Sequence, residues 1–127
     1  MEYLIIVLQL IVGLSILNVW LVQYNKATRW RGGDATTIVE EFRAYGLPDW
    51  SVYVVGAIKT VLALLLLAAI WYPVLRFPAA IGLAAMLAGS VLMHLKISDP
   101  LIKSFPAALF LMMCLIIAFV PENAVLN

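Results

Sequence analysis

The sequence predicts an all-α protein: a polytopic membrane four-helix bundle with a short amphipathic interfacial helix between the first and second spanning helices. Of its 127 residues, 65% are hydrophobic and only 12% are charged, which leaves too little polar surface to coat a water-soluble domain. The apolar residues lie in four blocks, each close to the roughly 20 residues that cross the hydrocarbon core as a helix. A backbone exposed to lipid must satisfy its own hydrogen bonds, and a helix does so within one segment.

Prolines mark several ends of the four predicted spanning helices. Pro73 ends the second helix and Pro78 opens the third, because proline is tolerated in the first turn of a helix but not in its interior. Pro121 follows the fourth helix. We therefore expect a single domain over residues 1–127, with spanning helices at about 3–24, 50–72, 77–96 and 100–120.

A short amphipathic helix is expected at about 37–45, within the long connection between the first two spanning helices. Thr37 and Glu40 have the spacing of a capping box, and Gly46 with Pro48 ends the helix. One face is apolar, so this helix is expected to lie in the interface and cover the mouth of the bundle. The alternative is a lid or a partner surface, formed by Glu41, Phe42, Arg43 and Tyr45.

Positive charges are concentrated in the first and third connections of the predicted bundle. Those connections carry Lys26, Arg29, Arg31, Arg43, Lys96 and Lys103, whereas the opposite side has Arg76. Lys and Arg in short loops are retained in the cytoplasm. The sequence therefore predicts an inner-membrane protein with loops 1 and 3 in the cytoplasm and both termini outside.

Four polar residues form the candidate ligand-binding site: Asn18, Lys59, His94 and Asp99. Lys59 lies about nine residues into the second helix, or about 13 Å along its axis. Charges at bilayer depth are costly and usually face the bundle interior. The helix ends that carry these residues lie on one side of the membrane. We therefore expect them to converge in a cytoplasm-facing polar pocket beneath the interfacial helix.

Each of these residues also has a purely structural interpretation. Lys59 can extend its stem and place the ammonium at the membrane surface. His94 can be an interfacial, hydrogen-bonded histidine, and Asn18 can bond to a neighbouring helix. Asp99 stands directly before a proline, which is the pattern of a helix N-cap followed by proline at the first helical position.

Composition argues against several other classes of protein. The single cysteine, Cys114, cannot form an internal disulfide or a CxxC redox pair. One histidine with one aspartate provides too few ligands for a zinc site. No basic stripe indicates nucleic-acid binding. We therefore expect no catalytic residues, no metal site and no nucleic-acid partner.

Several short motifs resemble the DoxX-like family of small four-helix membrane proteins, over nearly the whole chain. They are Gly56-Ala-Ile-Lys59 before Leu64–Leu67, the corner Pro73–Pro78, and above all His94-x4-Asp99-Pro100, followed by Lys103 and Pro106. Some relatives are similar to membrane subunits of a thiosulfate:quinone oxidoreductase, so the resemblance implies a quinone as the candidate cofactor. The family also resembles a eukaryotic membrane chaperone that assists nicotinic receptor assembly. Many relatives carry an acidic residue near the position of Lys59.

Three functions are compatible with the sequence. The first is a non-catalytic membrane component that binds a lipid or quinone-like apolar ligand, a membrane protein partner, or both. The second is a membrane subunit of a quinone-linked oxidoreductase, whose redox centre would have to lie in a partner. The third is a small transporter, which would have to form a homo-oligomer to enclose a path. Because the chain has no redox cysteine pair, metal site or nucleotide motif, an enzymatic role is disfavoured.

Overall fold

The structure is a computed structural model that describes residues 2–22, 33, 35 and 37–120. Every regular element among these residues is helical, which confirms the predicted all-α class. The helices are α1 (Glu2–Leu17, continued by the π-helical turn Asn18–Val22), α2 (Ile38–Ala44), α3 (Trp50–Ala68), α4 (Arg76–Lys96) and α5 (Phe105–Phe119). Short 3₁₀ turns, Pro73–Leu75 and Leu101–Ser104, lead into α4 and α5.

Among the described residues, four segments are long and apolar enough to cross a membrane: Tyr3–Val22, Trp50–Ala68, Pro73–Lys96 and Leu101–Phe119. Their outward surfaces expose large apolar side chains, including Leu14, Val54 and Leu92. Such surfaces are stable in lipid and not in water. The short helix α2 has 7 residues and does not span.

Two helix bounds differ from the sequence-based expectation, and proline explains both. The second spanning helix ends at Ala68 instead of near residue 72, because Tyr72 precedes Pro73 and takes a non-helical conformation (φ −125°, ψ 79°). The fourth α-helix begins only at Phe105. Pro106 would clash with the carbonyl of Ile102 in a continuous α-helix, so the preceding residues form a 3₁₀ turn. The expected end of the first helix, residues 23–24, lies outside the described residues.

The four spanning helices pack in a closed ring in which α1 contacts α3, α3 contacts α4, α4 contacts α5, and α5 contacts α1. Small residues of α4 allow close approach to its neighbours, with Ala80 and Ala84 buried in the centre. A polar contact also crosses this core: Gln9 Nε2 donates to the carbonyl oxygen of Leu66 at 3.1 Å. The core is formed mainly by Val12, Ile16, Ala63, Leu66, Leu83, Leu87, Cys114 and Ile117.

The helix α2 covers one end of this ring, which we call the mouth of the bundle. Thr37 caps the helix by accepting a hydrogen bond from the Glu40 N–H at 3.1 Å, as the capping-box spacing predicts. Gly46 ends it in the left-handed conformation (φ +84°) that glycine adopts without strain. A second apolar cluster holds α2 in place: Ile38, Phe42, Tyr45 and Val52, packed on Trp20, Met93 and Ile97.

Candidate functional site

Lys59 lies in the bundle interior. Its side chain is 8% exposed, and its Nζ donates to Ser90 Oγ of α4 at 3.0 Å. Ser90 in turn donates to the Met86 carbonyl oxygen at 3.3 Å. The ammonium also lies 5.5 Å from the centre of the Trp20 ring, within the range of a cation–π contact. The structure therefore favours the inward interpretation of Lys59 over the snorkelling one.

His94 and Asp99 form a buried pair at the mouth of the bundle. His94 Nδ1 lies 2.8 Å from Asp99 Oδ2, and both side chains are 6% exposed. The other carboxylate oxygen of Asp99 accepts the Gly33 N–H at 3.0 Å and lies 3.9 Å from Lys103 Nζ. Lys103 also donates to the Gly33 carbonyl oxygen, so Asp99 and Lys103 together hold this loop residue.

The interpretation of Asp99 as a helix N-cap is wrong. Its carboxylate bonds back to α4 through His94, and the following 3₁₀ turn has no side-chain cap. Burial by itself would raise the pKa of the Asp99 carboxyl. The hydrogen bonds from His94 and Gly33, with the nearby Lys103 charge, outweigh that effect and hold the pKa below its usual value. Asp99 is therefore a stable carboxylate beside the histidine.

The predicted lid residues divide into two groups. Phe42 and Tyr45 are buried under α2, and Glu41, which is half-buried, lies on the same side. Arg43 points away: it is exposed and forms a two-bonded ion pair with Asp49, at 2.9 and 2.7 Å. Helical geometry separates Arg43 from the inward-facing residues, because the residues on one face recur three or four positions apart.

Tyr45 connects the cover helix to the histidine. Its hydroxyl donates to Glu41 Oε1 at 2.5 Å and lies 3.3 Å from His94 Nε2. The Tyr45 and His94 rings meet edge to face, 5.7 Å apart. Lys96 Nζ donates to the Tyr45 carbonyl oxygen at 2.9 Å, which ties the end of α2 to α4.

Two cavities lie beside Lys59. The α3–α4 cavity, of about 340 Å³, is enclosed by α2, α3 and α4, with Val55, Met86 and Gly89 on its wall. The α1–α5 cavity, of about 370 Å³, is enclosed mainly by α1, α4 and α5, with Asn18 and His94 on its wall. The residues common to both walls are Val19, Trp20, Glu41, Lys59 and Ser90.

The structure thus brings most of the predicted site together. Lys59 and His94 line the α1–α5 cavity, and Asp99 supports His94 from behind. Asn18 lines the same cavity from the π-helical turn of α1. Its side chain is exposed, so Asn18 does not form a buried polar contact between helices. Within the described residues, no group of three or more His, Cys, Asp or Glu side chains could hold a metal ion.

Two central residues of the site are absent from the sequence-based assignment. Ser90 lies four residues before His94 and therefore on the same face of the helix. This spacing is the sequence feature that indicates Ser90 as a member of the site. Trp20 lines both cavities and packs edge to face on Phe42, 6.1 Å away. An aromatic ring near the end of a spanning helix is usually an interfacial anchor, so the sequence gives no signal for its position here.

Comparison with known proteins agrees with the motifs. A family model, that of the DoxX-like family, matches residues 27–118, which include α2, α3, α4 and all but the last residue of α5. No curated protein matches the chain, and no solved structure does. The matched range contains Lys59, Ser90, His94 and Asp99, and the four spanning segments agree with the fold expected of the family. The chain is a membrane protein and belongs to the DoxX-like family.

Proposed function

We propose that this protein is a non-catalytic membrane component that binds a lipid or quinone-like amphiphile in the two cavities beside Lys59. The observation that supports the proposal is a buried ammonium shared by two largely apolar cavities. Ligand sites commonly combine such apolar walls with a few well-placed polar groups. The apolar part of the ligand would occupy the cavities, and its polar head would lie against Lys59.

The chemistry of Lys59 suggests what that head group is. An ammonium has three N–H donors, and one of them bonds to Ser90. A buried charge is costly unless it is well hydrogen-bonded, so an additional acceptor would stabilise Lys59. A carbonyl oxygen, as in a quinone ring or a lipid ester, supplies one without adding a charge. The Glu41 carboxylate on the same walls would accept from a hydroxyl of the ligand.

The mouth of the bundle is proposed to face the cytoplasm of an inner membrane. The basic residues of loops 1 and 3 support this orientation, because such residues resist translocation. A ligand bound near Lys59 would then have its head toward the cytoplasmic leaflet. A homo-oligomer or a membrane protein partner is compatible with the proposal and is not required by it.

A second candidate is a membrane subunit of a quinone-linked oxidoreductase. The hydrogen bonds from Glu41 through Tyr45 to His94 support this candidate. Reduction of a quinone takes up protons, and these three groups lie beside the cavities. The redox centre would lie in a partner protein. Quinone reduction that appears only with a co-purified partner would favour this candidate over a binding component.

The proposal is tested by comparing the wild-type protein with Lys59→Leu. Both are purified in the same mild detergent, retained small molecules are identified by mass spectrometry, and binding of a short-chain benzoquinone is measured by quenching of tryptophan fluorescence. Hydrogen bonds to charged groups are worth about 1.5–3 kcal/mol, so Lys59→Leu is expected to weaken binding by at least about tenfold.

Arg43→Leu is the matched control, because it removes the same charge from an exposed position that lines neither cavity. It is expected to leave quinone binding unchanged. Equal quinone affinity and equal retained lipid in the wild-type protein and Lys59→Leu would contradict the proposal.

A further inference from the structure

A continuous series of hydrogen bonds runs from the loop after α4 to the walls of the cavities. Asp99 Oδ2 lies 2.8 Å from His94 Nδ1, His94 Nε2 lies 3.3 Å from the Tyr45 hydroxyl, and that hydroxyl lies 2.5 Å from Glu41 Oε1. Glu41 lines both cavities, whereas Asp99 lines neither. The series therefore connects the mouth of the bundle with the space in which a ligand would lie.

The donor direction of these bonds is fixed at the Asp99 end of the series and open at Tyr45. Asp99 is a carboxylate that accepts from Gly33, so the bond to His94 requires a proton on Nδ1. At the other side, a tyrosine hydroxyl has one proton, which it can donate either to Glu41 or to His94 Nε2. The Tyr45 hydroxyl can thus donate in either direction along the series.

We propose that Tyr45 transfers a proton between His94 and Glu41, so that a proton held on the wall of the α1–α5 cavity reaches a carboxylate that lines both cavities. In one state His94 is doubly protonated and donates to Tyr45, which donates to the Glu41 carboxylate. Transfer breaks the Nε2–H bond and forms an O–H bond on Tyr45, while the original Tyr45 O–H bond breaks and a new one forms on Glu41. Tyr45 remains a neutral phenol throughout, and His94 and Glu41 both end neutral.

Asp99 acts in this step as a positioning residue. Its bond to Nδ1 fixes the ring so that Nε2 faces Tyr45, the arrangement in which an aspartate orients a histidine base. The hydrogen bonds that keep the pKa of Asp99 low also prevent it from taking the proton itself. The proton therefore moves toward Glu41 and not toward the loop carboxylate.

The charges around Tyr45 come from each element packed against it. Lys59 of α3 lines both cavities together with Glu41, so a positive and a negative side chain share these walls. Lys96 of α4 bonds to the Tyr45 backbone carbonyl and not to its hydroxyl. Lys103 lies near Asp99, and Arg43 of α2 is directed outward to Asp49.

The test uses the full-length, ligand-free protein in lipid nanodiscs, so its result does not depend on the proposed ligand. His94 is the single histidine of the sequence, so its ring ¹⁵N signals need no assignment. Ring protonation is followed by NMR between about pH 5 and pH 8, and the protonated-carboxyl band of Glu41 is followed by infrared spectroscopy. Glu41 is identified as the source of that band by its absence in Glu41→Gln.

In the wild-type protein, a neutral His94 ring is expected to coexist with a protonated Glu41 carboxyl at the same pH. Tyr45→Phe retains the aromatic ring but removes the oxygen that joins the two groups, so the Glu41 band and the His94 ring signals are expected to titrate independently of each other. Glu41→Gln, which alters the other end, is expected to change the population of the doubly protonated ring. Tyr53→Phe, an exposed tyrosine on α3, is expected to match the wild-type protein.

Two results would overturn the inference. The first is a wild-type protein with no Glu41-dependent band at any pH at which the neutral ring is observed. The second is a Tyr45→Phe protein whose band and ring signals equal those of the wild-type protein. Equal quinone affinity in the wild-type protein and Lys59→Leu would contradict the proposed function. It would not alter the two measurements described above, which are made on the ligand-free protein, so the two proposals are separable.

Discussion

Asp99 shows how one side chain can connect three parts of the chain. It bonds to His94 at the end of α4 and to Gly33 in the first loop, and it lies near Lys103 ahead of α5. Because its side chain is 6% exposed, these contacts are not weakened by solvent as a surface ion pair would be. Without the carboxylate charge, the His94 ring N–H and the Gly33 N–H would each donate to a weaker acceptor.

Asp99→Asn is expected to lower the free energy of unfolding by about 1–3 kcal/mol at neutral pH. The pKa of Asp99 is lower in the folded protein than in the unfolded chain, so its carboxylate stabilises the fold at every pH above the usual carboxyl value, near 4. That contribution is lost as the pH falls through the folded-state value. Denaturation in detergent micelles at about pH 7, 5 and 3 measures the difference between the two proteins.

The deficit of Asp99→Asn should be similar at the two higher pH values and smaller at the lowest. An equal deficit at all three values would show that the carboxylate charge is not the source of the stabilisation. Asp49→Asn serves as the control, because Asp49 pairs with Arg43 on the exposed surface.

At the scale of the elements, α4 is the helix on which the site depends. It carries Ser90 and His94 on one face, and its small residues form part of a cavity wall. The spacing of Ala85 and Gly89 predicts close helix packing. The structure differs: a Cβ atom at Gly89 would meet nothing within 4 Å, whereas one at Gly56 of α3 would lie 2.8 Å from the Trp20 ring.

Gly89→Ala and Gly56→Ala are therefore expected to have opposite effects. Alanine at Gly89 removes the conformational cost of a helical glycine and should stabilise the protein by about 0.5–1 kcal/mol. Alanine at Gly56 would press on a stiff aromatic ring and should destabilise it by about 1–3 kcal/mol. The free energy of unfolding in one detergent measures both effects.

A further variant, Gly89→Leu, extends the comparison to binding. Its side chain would project into the α3–α4 cavity, so the fold should be retained while the affinity for a short-chain benzoquinone falls. Destabilisation by Gly89→Ala would show that this wall is closed in the folded protein.

The molecule as a whole has two unlike ends. At the mouth, α2 covers the buried polar groups and the two cavities. At the opposite end, Arg76 is 8% exposed and donates to the Val120 carbonyl oxygen at 2.9 Å, beside the Phe77–Phe119 ring contact. Arg76 there ties the start of α4 to the end of α5, which is a structural role at a distance from the cavities.

Cysteine labelling can determine which end faces the cytoplasm. Leu101 near the mouth and Val74 at the opposite end are 76% and 82% exposed, so each accepts a cysteine without loss of core packing. The native Cys114 is buried and is replaced by alanine in both variants. With loops 1 and 3 in the cytoplasm, a membrane-impermeant maleimide should label Val74→Cys in intact spheroplasts and Leu101→Cys only after lysis. The reverse pattern would overturn the proposed orientation.

Much of the fold follows from local features of the sequence. Block length and apolar content predict the four spanning segments, and the structure confirms them. The capping box at Thr37 and the glycine at Gly46 predict the bounds of α2 to within one residue. The least accurate bounds are those near Pro73 and Pro106, where proline changes the helix type over a few residues.

The sequence by itself determined the membrane class, the helical segments and the region to which Lys59, His94 and Asp99 belong. The length of an apolar block, the capping residues of a helix and the position of a charged residue within a spanning helix can all be read from short stretches of chain. Tertiary structure decided which side chains meet. The contact of Tyr45 with His94 joins residues 49 apart, and that of Lys59 with Ser90 joins residues 31 apart. Such contacts depend on helix rotation and on the docking of α2, which are set by packing across the bundle and not by any local pattern.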